Sequence, residues 1–143
     1  MFKTILVPID VSAPNVPTKQ LAIARRFATD EGSKIVLLTV TADIPGYVAS
    51  YLPSDVQKSA LTEAKASLNK LAKENELAED AEVVLRQGQP SRTILDYAAE
   101  IGADLIVIAS HDPDLSDYLL GSTAARVVRH AHCSVFIVRN VKE

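Results

Sequence analysis

The sequence from Ile106 to Ser134 reads IVIASHDPDLSDYLLGSTAARVVRHAHCS, and it predicts a strand, a polar loop and a helix in that order. The apolar run Leu105 to Ala109 is rich in Ile and Val and is short enough for a strand buried on both faces. The next residues, Ser110 to Pro113, cannot continue a strand and favour a turn. Beyond Gly121, apolar residues recur at helical spacing, at Ala124, Val127, Val128 and Ala131.

The first turn of this predicted helix, Gly121-Ser122-Thr123, suits an anionic ligand. A helix N-terminus offers unpaired N–H donors and the positive end of the helix dipole. Gly121 has no side chain to block a close ligand, and Ser122 and Thr123 add hydroxyl donors. These properties suit a phosphate group. The alternative is that Gly121 and Ser122 simply begin a helix, as Gly and Ser often do.

Composition limits the classes of function that the chain can have. With 143 residues, of which 48% are hydrophobic and 23% charged, we expect one domain spanning residues 1–143. The net charge of −3 and the lack of a dense Lys/Arg block argue against nucleic acid or an anionic membrane as partner. No apolar run approaches the roughly 20 residues of a membrane span. No signal-peptide pattern precedes the first strand, and the single Cys133 excludes an intrachain disulfide, so we expect a cytoplasmic protein.

The hydrophobic pattern predicts five strands that alternate with four helices. The predicted strands are Thr4–Asp10, Lys34–Val40, Ala81–Gln87, Asp104–Ala109 and Ser134–Val138, and the helices run over Thr18–Asp30, Asp55–Glu76, Pro90–Ile101 and from Gly121 onward. Such alternation indicates an α/β fold with a parallel sheet and helices on both faces. The third strand alternates in polarity more than the others, which places it near a sheet edge.

The second predicted helix has a long apolar stripe, and a long connection precedes it. The connection, Thr41 to Pro53, is long enough to be a functional loop or a lid. The stripe forms one face of the helix, with Lys and Glu elsewhere. It consists of Val56, Ala60, Leu61, Ala64, Leu68 and Leu71.

Several candidate residues follow the predicted strands at their carboxyl ends. In a parallel sheet of this class, ligands bind in the crevice outside those ends. We therefore expect the strand ends to converge on one site. The residues concerned are Asp10, Val40, Gly88 and Ala109 to Asp112.

On several separated motifs, the chain resembles the universal stress protein family over essentially its whole length. These motifs are ILVPID at 5–10, GQP at 88–90, GADLIVIASH at 102–111, LLGS at 119–122, RVVRHA at 126–131 and CSVFIV at 133–138. The resemblance implies a Rossmann-like, adenine-nucleotide-binding fold with sheet order 3-2-1-4-5. It also implies a homodimer that forms through the last strand, Ser134 to Val138, with assembly beyond the dimer left open.

The resemblance also implies roles for residues on the nucleoside side of an ATP site. Asp10 is placed at the ribose hydroxyls, although a cap on the following loop is the alternative. The backbone of Val40 would meet the adenine edge, although an ordinary strand residue is the alternative. Pro8 and Ile9 would form an apolar wall. Gly88 would either let the backbone approach the ligand or only permit a turn.

On the phosphate side, the resemblance points to two segments. Ala109, Ser110 and His111 would lie near phosphate or ribose, although a surface or turn histidine is the alternative for His111. The segment from Gly121 to Thr123 would bind phosphate. In nucleotide-binding members the loop reads Gly, two residues, Gly, nine residues, Gly, then Ser or Thr. Here Ala109 and Asp112 replace the first two glycines, and eight residues separate Asp112 from Gly121.

Asp112 is the departure with an electrostatic consequence. Two unit charges about 4 Å apart repel by roughly 4 kcal/mol at an effective dielectric near 20. Either Asp112 turns away at the Pro113 corner, or a cation such as Mg²⁺ lies between its carboxylate and the phosphates. A short-loop branch that is regarded as ATP-binding resembles this chain in its Ser-His-x-Pro-Asp and Leu-Leu-Gly-Ser motifs. We therefore expect ATP binding to be retained.

Three hypotheses for function remain. The leading one is an ATP-binding regulatory module for stress resistance, and the second is a dimeric scaffold that has lost the nucleotide. The third is a slow ATPase or a self-phosphorylating protein with Ser122 or Thr123 as acceptor. No P-loop, Gly-x-Gly-x-x-Gly motif or nucleophile–base pair is present to favour an enzyme. The cluster His130, His132 and Cys133 suggests a metal site, but helix-end histidines and a core cysteine explain it better.

Overall fold

The computed structural model describes residues 1–11, 17–29, 32–41, 47, 50–110 and 120–139. In these ranges five strands and four helices alternate, as predicted, with small shifts at their ends. They are β1 (Thr4–Pro8), α1 (Thr18–Phe27), β2 (Lys34–Thr41), α2 (Ser54–Glu74), β3 (Glu82–Gln87), α3 (Pro90–Ile101), β4 (Leu105–Ala109), α4 (Ser122–His130) and β5 (Ser134–Val138).

All neighbouring strands pair in parallel, and the sheet order is β3-β2-β1-β4-β5. This order confirms the expectation of 3-2-1-4-5 and places β3 at an edge. Strands β1 and β2 pair from Thr4↔Lys34 through Pro8↔Leu38. The pairing of β1 with β4 covers only Ile5↔Leu105 and Leu6↔Ile106. The pairing of β1 with β4 therefore stops before the carboxyl ends of these strands.

The core consists of two apolar clusters, one on each face of the sheet. Ile5 and Val7 point to one face, where they pack in a cluster with Leu21 of α1 and Leu68 of α2. Leu6 points to the other face and packs in a cluster with residues of α3 and α4. Because successive strand residues point to opposite faces, β1 is buried on both sides. The prediction of helices on both faces is confirmed.

The ends of two helices show how local sequence sets their length. Pro90 begins α3, the side chain of Gln89 accepts the Arg92 N–H, and Gly102 ends the helix with φ +65°. Helix α1 ends at Phe27, before the predicted Asp30. The Ala28 N–H is already shared between the carbonyls of Ala24 and Arg25, so the last turn closes before Gly32 is reached.

Helix α2 buries only part of its apolar stripe. Val56 is 53% exposed and Leu61 is 41% exposed, and Ala60 is also exposed. Only Leu68 on this helix is fully buried. A helix of 21 residues is about 31 Å long, whereas the six residues of β3 span about 20 Å. The N-terminal half of α2 therefore extends past the core. Among the helices that the structure describes, none is long and apolar enough to cross a membrane.

Candidate functional site

The carboxyl ends of the parallel strands lie at one edge of the sheet, and most predicted site residues lie there. Pro8 ends β1 and is followed by Ile9 and Asp10, while Val40 is near the end of β2. Gly88 follows β3, and its N–H donates to the Thr41 carbonyl at 2.9 Å. On the other side of β1, Ala109 ends β4 and the Ser110 N–H donates to the Val138 carbonyl at 2.9 Å. The topology thus brings these positions to the same edge.

Strand β2 fixes the residue that follows β1. The N–H of Ile9 donates to the Leu38 carbonyl at 2.8 Å, and the Thr39 hydroxyl donates to the Ile9 carbonyl at 2.8 Å. The Ile9 side chain is 5% exposed and belongs to the core. The next residue, Asp10, is exposed, so its carboxylate is presented from a firmly held backbone.

A residue that the sequence analysis missed connects β1 with β4. The Nε2 atom of Gln20, on α1, donates to the Pro8 carbonyl at 2.7 Å and to the Val107 carbonyl at 2.9 Å. Gln20 is 4% exposed. The available signal was a long polar side chain next to Leu21 and four residues before Ala24, on the buried side of a helix. Such a position requires a hydrogen-bond partner in the interior.

The space between the ends of β1 and β4 is the crevice that this topology provides. Strand order reverses there, because the chain continues from β1 to β2 on one side while β4 and β5 lie on the other. In open α/β sheets, ligands bind at this switch point. Pro8 contributes to the separation because it has no N–H to donate to β4. The candidate site is therefore the gap between the carboxyl ends of β1 and β4.

The start of α4 differs from the start of α3 in a way that matters for an anion. At α3, the Gln89 side chain satisfies one of the free amides. At α4, the preceding residue Gly121 is buried, and no side chain in the described part of the chain caps the helix. Gly121 has φ −58° and ψ 154°, a conformation open to any residue. Its lack of a side chain is therefore not required by the backbone. Ser122 is exposed and Thr123 is half-buried.

Gly88 is a glycine for a reason within the fold. Its φ is +147°, and a Cβ atom built there would lie 2.5 Å from Oγ1 of Thr93. Both the conformation and the close approach of Thr93 exclude larger residues. The fold itself therefore explains this glycine, which supports the turn alternative.

Some predicted positions lie outside the residues that the structure describes. They include His111, Asp112 and Pro113 of the loop before α4, and most of the connection from Thr41 to Pro53. The roles of His111 and Asp112 stay predictions.

The residues considered for a metal site do not form one in the described ranges. His130 and His132 are exposed and Cys133 is half-buried. No group of three or more His, Cys, Asp or Glu side chains able to hold a metal ion occurs among the described residues. Burial raises the pKa of the Cys133 thiol, which keeps it protonated and a weak ligand.

Comparison with known proteins finds relatives that match this chain over almost its whole length. Universal stress protein G of Escherichia coli O157:H7 is 32% identical over 97% of this chain and 100% of its own length. Universal stress protein A homolog 2 of Coxiella burnetii is 30% identical over 96% of this chain and 95% of its own. The structure of the hypothetical protein MJ0577 superposes with a TM-score of 0.83 at 25% identity, covering 100% of this chain and 99% of that one.

Two more distant structures of the same fold contain adenine nucleotides. A universal stress protein in complex with cAMP superposes with a TM-score of 0.72 at 23% identity, over 96% of this chain and 97% of that one. The universal stress protein of Archaeoglobus fulgidus in complex with dAMP has a TM-score of 0.55 at 22% identity, over 94% and 95%. The model of the universal stress protein family matches residues 1–139. Together with the full-length relatives, this match shows that the chain belongs to the universal stress protein family.

Proposed function

We propose that this chain binds ATP in the crevice between β1 and β4 and acts as a nucleotide-responsive regulatory module. The observation that carries the proposal is the buried start of α4 at Gly121, which no described side chain caps. A helix N-terminus of this kind attracts phosphate through its amides and its dipole. The cAMP and dAMP complexes support the choice of an adenine nucleotide, since each is formed by a protein of this fold.

The nucleoside would bind on the β1 and β2 side of the crevice. Asp10 is exposed at the end of β1, where its carboxylate can accept hydrogen bonds from ribose hydroxyls. Half-buried Pro8 and the core residue Ile9 would form the apolar wall. The backbone of Val40 would meet the adenine edge, and Gly88 would shape the turn beside it.

The phosphates would bind on the β4 and α4 side. Ser122 and Thr123 would contribute amides and hydroxyls, and Ser110 lies at the end of the neighbouring strand. Ala109 and His111 would complete this side. A Mg²⁺ ion would supply the positive charge that lets Asp112 and the phosphates lie close together, because oxygen ligands of both kinds suit this cation. The chemistry required is binding rather than catalysis.

The second part of the proposal is a homodimer that forms through β5, in the cytoplasm. Strand β5 is an edge strand of the sheet, and among the described strands only β4 pairs with it. Phe136 on this strand is 37% exposed, and its ring lies 5.4 Å from the ring of Phe27. An exposed aromatic residue on an edge strand suits a self-complementary contact.

Thermal denaturation with added ATP tests the nucleotide proposal. A ligand at about 100 times its Kd stabilises the folded protein by about 2.7 kcal/mol. We expect ATP to raise the Tm of wild type, and we expect Gly121→Val to abolish this shift because its side chain fills the phosphate position. Ala99→Val, at an exposed position of α3, is the matched control and should keep the shift.

The outcomes separate the alternatives. A wild-type protein whose Tm does not change with ATP, with or without Mg²⁺, contradicts nucleotide binding and favours the dimeric scaffold. A shift that requires Mg²⁺ in wild type, and no longer requires it in Asp112→Ala, supports a cation between Asp112 and the phosphates. Incubation with labelled ATP tests the slow-enzyme hypothesis, which requires released phosphate or label on Ser122 or Thr123.

A further inference from the structure

We infer that Gln20 is a positioning residue that sets the width of the crevice and so selects ligands that reach across it. The identity of the ligand in this inference rests on the proposed function. The role of the Gln20 side chain rests on observed hydrogen bonds. Of the predicted ligand positions, Gln20 hydrogen-bonds the backbone carbonyl of Pro8.

The geometry uses both hydrogens of one amide group. The Nε2 atom lies 2.7 Å from the Pro8 oxygen and 2.9 Å from the Val107 oxygen. A carboxamide NH₂ has two donors in one plane, so these two bonds use both. The acceptors belong to adjacent strands, and the bond to Val107 joins residues 87 positions apart in the sequence. The distance between the two carbonyls is thereby set by a single rigid group.

Pro8 cannot donate a backbone hydrogen bond that would hold the end of β1 to β4. The recorded pairing of β1 with β4 ends at Leu6↔Ile106, and Pro8 has no N–H. Leu38 and Thr39 hold Ile9, but they hold it to β2. In the described part of the chain, Gln20 is the residue whose side-chain hydrogen bonds join β1 to β4 beyond that pairing.

We call the two hydrogen bonds from Gln20 to Pro8 and Val107 the bridge. Ligands differ in how strongly their affinity depends on it. In the proposed site, Pro8 and Asp10 hold the nucleoside on the β1 side, while Ser110 and the segment Gly121 to Thr123 hold phosphate on the β4 side. A nucleoside triphosphate must satisfy both sides at once, so its affinity depends on their separation. Adenosine alone contacts chiefly the β1 and β2 side and depends on the separation much less.

The test compares ATP with adenosine by calorimetric titration of the full chain. Gln20→Met keeps the length of the side chain and removes both donors, and Gln20→Asn keeps the amide but is one methylene too short to reach both carbonyls. We expect each variant to lower ATP affinity about tenfold, the factor that corresponds to 1.4 kcal/mol. Adenosine affinity should change by less than about threefold, a difference of well under 1.4 kcal/mol.

A neighbouring variant controls for a purely structural effect. Leu21→Ala removes buried apolar volume from the same helix and lowers stability, but it leaves the bridge intact. Below its Tm, this variant should bind ATP and adenosine with the wild-type affinity ratio. A wild-type ratio in both Gln20 variants, or an equal loss for ATP and adenosine, would overturn the inference.

Amide hydrogen exchange tests the bridge without any nucleotide. In Gln20→Met, the amides of Ile9 and Ser110 at the carboxyl edge should exchange faster than in wild type. The amide of Lys34, which donates to the Lys3 carbonyl at the opposite edge, should not change. If wild type binds no nucleotide, the proposed function fails, and the exchange rates still decide whether Gln20 holds the strand ends. Unchanged rates at Ile9 and Ser110 overturn that role.

Discussion

The hydroxyl of Thr39 donates a hydrogen bond of 2.8 Å to the carbonyl of Ile9, so a side chain of β2 fixes the backbone that follows β1. Thr39 is buried, and the N–H of Ile9 is bonded to Leu38 on the same strand. Together with the Gln20 bond to Pro8, two successive carbonyls at the end of β1 accept hydrogen bonds from buried side chains. The residue presented next is Asp10, the predicted ribose contact.

Thr39→Val should therefore destabilise the protein. The substitution keeps the shape of the side chain and leaves the Ile9 carbonyl without this buried donor, which costs about 1–3 kcal/mol. Chemical denaturation measures the free energy of unfolding. Thr62→Val is the control, because the Thr62 hydroxyl donates to Lys58 at an exposed position of α2. Equal losses of unfolding free energy in the two variants would show that the buried bond to Ile9 stabilises the protein no more than the exposed bond to Lys58 does.

Gly88→Ala should cost more stability than Gly102→Ala. Both glycines have positive φ, but a Cβ at Gly102 meets nothing within 4 Å, whereas at Gly88 it lies 2.5 Å from the Thr93 hydroxyl. Backbone strain costs about 1–3 kcal/mol at either position, and Gly88→Ala adds a clash. The clash is testable in a Thr93→Ala background, where the difference between the two glycine substitutions should shrink. A difference that persists unchanged would contradict a clash with Thr93.

The exposed half of α2 should tolerate polar substitution. Leu61→Ser should change the free energy of unfolding by no more than about 0.5 kcal/mol, the usual range for surface changes. Leu68→Ala on the same helix should cost about 2–5 kcal/mol, because Leu68 is fully buried. Urea titration of the two variants measures both values. A cost at Leu61 as large as that at Leu68 would mean that this part of the helix is covered in solution.

Cys133 should make stability fall at alkaline pH. Burial raises the pKa of its thiol in the folded protein, whereas an unfolded cysteine titrates near about 8.5. Above that pH the unfolded chain has released this proton and the folded chain still holds it, so unfolding becomes more favourable as pH rises. The stability of wild type relative to Cys133→Ala should therefore be constant below about pH 7.5 and decrease toward about pH 9.5.

Unfolding free energies of wild type and Cys133→Ala, measured at about pH 7.5 and about pH 9.5, check this pH dependence. Other groups, such as Tyr97, whose pKa burial also raises, are common to both proteins and cancel in the comparison. A difference between wild type and Cys133→Ala that stays constant with pH would contradict the raised pKa. As an independent check, the Cys133 thiol should react with iodoacetamide more slowly than free cysteine at pH 8.

Most of the fold was accessible from the sequence because its signals are local. Apolar runs such as Leu105 to Ala109, the proline at the first position of α3 and the glycine at its end each act within a few residues. Alternation of strands and helices then implies parallel pairing and one edge where strand ends meet. The resemblance of separated motifs to a known family supplied the strand order, which the structure confirms.

By itself, the sequence determined the type and order of the elements, since periodicity and turn residues are properties of short segments. Only the tertiary structure decided the roles of Gln20 and Thr39, because their acceptors lie 12, 87 and 30 residues away along the chain. It also decided where α2 leaves the core, since a helical stripe carries no information about the length of the sheet beneath it. Hydrogen bonds between distant segments and the extent of the core depend on how the elements pack, and no local pattern contains that information.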